Sequence, residues 1–598
     1  MASNNLIHKR NLIEYTMKNF LKRTVSLTIF FFTVILFIGC KDSDDDINSG
    51  EIRLFTPENL IVSVKRDGLI LKWDKSPKAD FYEIDLAQDK SFEASELTRL
   101  VRGDSVTTTF ENLEEETKYY IRIKGISKQY LDSKYYYGEA TTGKMASYFK
   151  LPAYEDMSYT DITLKWVTEY MDDEGEIQPI IADQIILSSN EGEEKVVDIT
   201  PEITGSGKLR IDGLKEGTSY TATMKNSGKT ISKTTFDMPS KPAGAIEIDN
   251  TANLKQIIES APDNAVIILK GGQIYDYSSD TINIIKSILI QGAPGSPRPI
   301  VYTHQFMLGG SSRTELTATI NAISFIHIEL SGMKLNGEQE DPSIKPNEHA
   351  FGFYMRAADN KTLFARNVSI ESFSLNNCII RNFYGAAIRN SIFNLHTSAS
   401  IYFGEININN CMMFDLGRGA TGGVQSFIHL NSNLNKNNIY CAKYILKNST
   451  FYHLNTGLIE QRAPLPARTE VPVVEISDCT FDRFAVKYPG VIYDTTTSSR
   501  NFFNFSGFTN TPISIKNCIF GEMKINNSLW LNKVAFSGAT GTFINTYRAK
   551  EANFTDFGSD ITNAGTVENI FPQRDEFNYT TSPEVAITGA GDPRWYNE

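Results

Sequence analysis

Apolar residues alternate with polar ones in short runs over the first 240 positions. Leu69, Leu71 and Trp73 follow this period, as do Tyr82, Ile84 and Leu86. Side chains on a strand point to opposite faces in turn, so such runs predict half-buried strands. The stretch "NLEEETKYYIRIKGIS" places Leu113, Thr117, Tyr119, Ile121 and Ile123 in the same rhythm. The plan then repeats: Ile162, Leu164 and Trp166 form a second Trp strand, and "GLKEGTSYTATM" supplies Leu214, Thr218 and Tyr220. From Ala245 the pattern changes. Leu254, Ile257 and Ile258 in "NTANLKQIIES" have helical spacing, and apolar strands broken by glycine follow in "AVIILKGGQIYDY" and "INIIKSILIQGAPG".

The rest of the chain carries a repeat. A polar residue followed by a small one closes five apolar runs: Asn377-Cys378, Asn410-Cys411, Asn448-Ser449, Asp478-Cys479 and Asn517-Cys518. Self-similarity at an interval of 30–39 residues signals a solenoid. The small residue is expected to point inward and the asparagine to sit at a turn, where it tolerates left-handed backbone. Irregular intervals mean loops inserted between coils.

The Leu-Thr-Tyr spacing in both early segments resembles the tyrosine corner of fibronectin type III sandwiches. The short helix, the strands and the asparagine ladder resemble a right-handed parallel β-helix of the pectate-lyase type, with a capped first coil. The tail "GAGDPRWYNE" resembles the end of β-helix proteins that Bacteroidota place in polysaccharide-utilisation loci. The expected fold class is all-β. Two fibronectin-like sandwiches, 55–145 and 146–240, act as spacers, and a β-helix follows over 241–598, after the linker 237–244.

The N-terminus reads as an address. Lys18, Lys22 and Arg23 precede the apolar run 25–38, which is short of the ~20 residues a bilayer span needs. Residues 1–39 therefore read as a signal peptide, with a true start at Met17. Gly39-Cys40 resembles a bacterial lipobox, which implies lipidation of Cys40. Asp42, Asp44, Asp45 and Asp46 resemble the signal that sends lipoproteins to the outer surface, with 40–54 as the tether. The implied location is the outer membrane, facing the exterior.

A net charge of −12 argues against nucleic acid, whose phosphates demand a basic surface. Six cysteines, one of them the expected lipid site, argue against a disulfide scaffold. The Asn-Thr-Asp and Gly-His-Gly signatures of polygalacturonases are absent, and the seven histidines lack metal-ligand spacing. A uronate lyase would need a cation for the carboxylate and a base for the neighbouring proton. Glu338, Glu340, Asp341 and Glu348 are the candidate Ca²⁺ ligands, and Arg389, Arg462 and Arg468 the candidate catalytic cations.

Aligning coils on the ladder sets "AAIRN", "SFIHLN", "GLIEQR", "GVIYDT" and "SLWLN" at equivalent strands. Ile388, Ile428, Ile459, Ile492 and Leu529 are then expected to point inward. Arg389, His429, Glu460, Tyr493 and Trp530 are expected to point outward as a column about 20 Å long. Arginine and histidine suit an acidic sugar; the aromatic rings suit sugar faces. The expected function is surface capture of an acidic, pectin-like polysaccharide, in association with an outer-membrane glycan importer. The alternatives are a polysaccharide lyase using the same face and an adhesin-like stalk.

Overall fold

A computed structural model describes residues 52–598, except 66–67, 94–96, 112, 115–116, 144–147, 151, 172–175, 311–315, 338, 354–365, 391–399, 418–425, 432–437, 455–456, 463–469, 485–500, 509, 524–535, 553–560, 583–584, 586–587 and 596–598. The chain divides into two compact units, one ending at Lys144 and the other beginning at Met145.

The first unit is a β-sandwich. Strands Ile61–Lys65, Gly68–Lys72 and Thr107–Phe110 form one sheet. Leu97–Arg102, Phe81–Ala87, Lys118–Ile126 and Tyr136–Thr141 form the other, in that order. Leu69, Leu71, Tyr82, Ile84, Ile121 and Ile123 are fully buried between them, on the faces that alternation assigned. The Tyr119 hydroxyl accepts a hydrogen bond from the Glu114 N–H at 3.1 Å.

The second unit opens on a similar sandwich. Asp161–Lys165 pairs with Lys208–Asp212 opposite a four-stranded sheet built on Gln184–Ser189 and Ser219–Asn226. The corner recurs here: the Tyr220 hydroxyl accepts from the Lys215 N–H at 3.0 Å. This sandwich is joined to the coils C-terminal to it. The Tyr154 ring lies 4.4 Å from that of His327, and the Gly295 N–H donates to the Tyr154 carbonyl.

From Ile246 onward the chain is a parallel β-helix. Strand Ile246–Ile248 opens it, ahead of the capping helix Leu254–Ser260, whose N-cap Asn253 accepts from the Gln256 N–H. Leu254 and Ile258 face the core. Each full coil has three faces. The first is a ten-stranded parallel sheet that includes Arg366–Asn376, Ser400–Asn409 and Asn438–Lys447. The second includes Ile379–Phe383, Met412–Leu416 and Thr450–Leu454, and the third Ile388–Asn390, Ile428–Asn431 and Ile459–Arg462.

The ladder sits at the turn from first face to second. His327, Asn377, Asn410, Asn448, Asp478, Asn517 and Asn545 all have φ between 46° and 55°. Asparagine visits this left-handed region at lower cost than most residues. The amides bond from coil to coil: Asn517 to Asp478 at 2.8 Å and Asn545 to Asn517 at 3.0 Å. Cys378, Cys411, Cys479 and Cys518 point inward and are buried. Burial pushes the Cys411 and Cys479 thiols well up, as befits inert packing groups. The small side chain has a second task. Ser449 Oγ accepts the Cys411 N–H at 3.0 Å, and Cys411 Sγ accepts the Cys378 N–H at 3.3 Å.

Candidate functional site

The third face carries the column. Ile388, Ile428 and Ile459 pair in register and are fully buried in the core. Arg389, His429 and Glu460 follow them in register on the opposite side of the sheet. These three of the five expected positions coincide with the sequence alignment.

Two features of the column differ from expectation. His429 and Glu460 are each only 1% exposed. They are not open contacts but a buried pair, with His429 Nδ1 3.4 Å from Glu460 Oε2. Alternation assigns a side of the sheet, but not how deeply the two polar side chains lie or that they approach each other there. The continuation also differs. After Glu460 the register runs to Asn504, behind the buried Phe503, and then to Ser537. Tyr493 and Trp530, with Ile492 and Leu529, lie outside the described residues.

The structure adds residues that the alignment missed. His349 is nearly buried one coil before Arg389. Its Nδ1 lies 3.3 Å from the Ala386 carbonyl, which can only accept, so Nδ1 carries the proton. Its Nε2 then accepts from Arg389 Nη1 at 2.8 Å. The ring is neutral. Burial first, and the Arg389 charge second, hold its pKa well below the ordinary histidine value. Gly385 makes room for it, since a Cβ there would stand 2.5 Å from the ring. The signal was present in sequence: Phe351 stands 37 residues before Ile388, within the ladder interval, and the two pair.

At the other end, Arg462 Nη2 is 2.8 Å from Glu460 Oε1, and the arginine side chain is half-exposed. Ser426 Oγ donates to Glu460 Oε2 at 3.4 Å. Gln461 is fully buried and directs its amide to the backbone of Cys441, accepting the N–H at 3.0 Å and donating to the carbonyl.

The described acidic candidates, Glu340, Asp341 and Glu348, have protein partners. Glu340 accepts from the Tyr302 hydroxyl and pairs with Arg381 at 2.6 Å. Asp341 caps its own turn at Ser343, and Glu348 lies 3.8 Å from Lys345 and 3.6 Å from His349. Among the described residues, no group of three or more His, Cys, Asp or Glu is placed to hold an ion. Glu338, Arg468 and Cys40 lie outside the described residues.

No curated protein is significantly similar to the chain. Among solved structures, a two-domain fibronectin type III segment of chicken tenascin is 18% identical, over 31% of this chain and 99% of that one, with a TM-score of 0.17. The fibronectin domain of human collagen alpha-1(XX) is 20% identical, over 17% and 93%, with a TM-score of 0.15. A fibronectin domain of human contactin 1 is 21% identical, over 19% and 92%, also at 0.15. The family model for the fibronectin type III domain matches residues 55–135. The first sandwich of this chain is thus a fibronectin type III domain.

Proposed function

We propose that the β-helix holds an acidic, pectin-like polysaccharide on the outer surface of a bacterial cell. In this reading a lipid on Cys40 anchors the chain in the outer membrane, and a glycan importer receives the cargo. The observation that carries the reading is the pair Arg389 and Arg462. Each guanidinium is held by a buried partner, His349 and Glu460 respectively. They stand two coils apart, about 10 Å along the axis at the spacing of adjacent strands. Two fixed cations at a set spacing on a rigid rod suit a polymer that repeats a carboxylate. The unexposed His429–Glu460 pair then serves as the base of the site rather than as a sugar contact.

A panel of polyuronates tests this, with gel retardation and absorbance of the unsaturated product read together. The expected result is retardation by polygalacturonate without product. Product formation would instead select a lyase using Arg389, Arg462 or Arg468, and an inert panel would leave a structural stalk. Chelation of Ca²⁺ is expected to leave retardation unchanged, because Glu340, Asp341 and Glu348 each have protein partners. Cys40→Ala should release the chain from the membrane fraction.

A further inference from the structure

The outer face of the second sandwich carries a line of like charges. Asp161–Lys165 pairs with Lys208–Asp212 so that Lys208 stands directly opposite Lys165. On the other side Phe149 bridges Trp166, and the Lys150 N–H donates to the Lys165 carbonyl at 2.8 Å, which sets Lys150 opposite Lys165 as well. Phe149, Leu164 and Trp166 are buried in the core. Successive side chains alternate, so the three lysines share the outer side. Adjacent strands lie about 4.8 Å apart, which makes a row about 10 Å long. An open cleft of about 490 Å³ lies over it, with Thr168, Glu169 and Ser206 also in its lining.

Like charges directly opposite each other destabilise a sheet. Elsewhere on this face the cation is neutralised: Arg210 lies 3.3 Å from Asp161 and 3.1 Å from Asp212. In the row, Asp156 meets Lys165 at 2.7 Å, and among the described residues no carboxylate pairs with Lys150 or Lys208. In a chain of net charge −12, three cations in register with one paired acid are a local exception. We propose that this row is a second contact for the acidic polysaccharide, a line of carboxylate sites beside the β-helix; the inference rests on the polysaccharide reading above and extends the path of the glycan to the sandwich. The row is tied to the β-helix through Asp156. That residue ends the turn Tyr154–Asp156, whose Tyr154 ring packs on His327. The shape favours a polymer. A single phosphate would need the cations to converge on one point, whereas lysines side by side meet anions set in a line. An ammonium is a compact charge on a flexible stem, so the row selects for charge rather than for one sugar.

The test uses the full chain, with polygalacturonate as the probe and fully methyl-esterified pectin, whose carboxylates are masked, as the control. Lys150→Gln combined with Lys208→Gln should weaken polygalacturonate binding about 3- to 10-fold, the loss of two exposed charge contacts. It should also flatten the salt dependence of binding. The urea midpoint should hold or rise, since like-charge repulsion is relieved. Lys150→Arg with Lys208→Arg keeps both charges and should bind like the unaltered chain. Equal binding of the esterified polymer by the unaltered chain would overturn the inference. Vesicles of phosphatidylglycerol form a further arm: if the double glutamine variant lost vesicle binding but kept polygalacturonate, the row would be a lipid contact and the inference would fall. If the unaltered chain binds no polyuronate, the polysaccharide reading falls and the inference with it. If it binds and the double glutamine variant binds equally well, the inference alone falls.

Discussion

At the scale of single residues, the ladder was the legible part. A polar residue, a small one and an apolar run identify the turn because backbone strain and core volume both select at those two positions. Asn410 has φ 53°, a conformation that costs most L-residues roughly 1–2 kcal/mol. Asn410→Val should therefore lose more stability in urea unfolding than Asn410→Gly, which carries no Cβ penalty. Cys411→Ser should be mild, since a serine already fills the next rung at Ser449, whereas Cys411→Arg would bury an unpaired charge and abolish the fold. Native Cys411 and Cys479 should resist thiol reagents until the chain unfolds; rapid labelling of both would contradict their burial. The column was only partly legible, for a physical reason. Alternation fixes whether Arg389, His429 and Glu460 leave the core, but not that His429 and Glu460 would pair in a dry site. Nor does it show that a histidine from another coil, His349, would reach Arg389.

At the scale of elements, long strands were readable and short ones were not. Arg366–Asn376 and Ser400–Asn409 span enough residues for a period to appear. The third-face strands run only two to four residues, as in Phe503–Asn504 and Ile459–Arg462. One inward residue is then almost the whole pattern, too little for alternation to pick out Phe503–Asn504 as the strand paired to Ile459–Arg462. In sequence the tail is marked only by its resemblance to the ends of other β-helix proteins, and the structure gives it a physical role. Asp592 is buried and accepts from Thr450 Oγ1 at 2.7 Å, and Trp595 Nε1 donates to the same hydroxyl at 2.8 Å. Arg594 bonds Asn410 Oδ1 and the carbonyls of Cys411 and Asn448. The last residues thus buckle consecutive coils together along the ladder. Removing so much buried aromatic surface with Trp595→Ala should cost about 3–5 kcal/mol. The check is the urea midpoint, and an unchanged midpoint would mean that the buckle adds no stability.

At the scale of the molecule, alternation identified both sandwiches, and their resemblance to fibronectin type III domains implied the part of spacers. The second is more than that. Its Tyr154 ring meets His327, the first residue of the left-handed series at the ladder turn, and it shares one compact unit with the β-helix. No periodicity could show this, because the joint depends on single residues far apart in sequence. Unfolding should then proceed in two transitions, a smaller one for the unit ending at Lys144 and a larger one for the unit beginning at Met145. His327 supplies a way to tell them apart. Its Nε2 donates to the Ser296 carbonyl and its Nδ1 accepts from the Asn377 amide, so the ring is neutral. Burial is the main cause that lowers its pKa from 6.5 to about 4. A depressed histidine contributes stability in full above pH 6.5, where neither state is charged. As pH falls toward 4, the unfolded chain takes up a proton that the folded one refuses, and that stability is lost. At 1.36 kcal/mol per unit, the loss is roughly 3 kcal/mol. The larger transition should therefore weaken between pH 6.5 and 4, and His327→Asn, which suits the left-handed turn and does not titrate, should remove the His327 share of that slope and leave the share of His349, whose pKa burial also lowers. The smaller transition should keep its own pH profile in both proteins. If His327→Asn altered the smaller transition and spared the larger, the joint between the second sandwich and the β-helix would have no energetic weight.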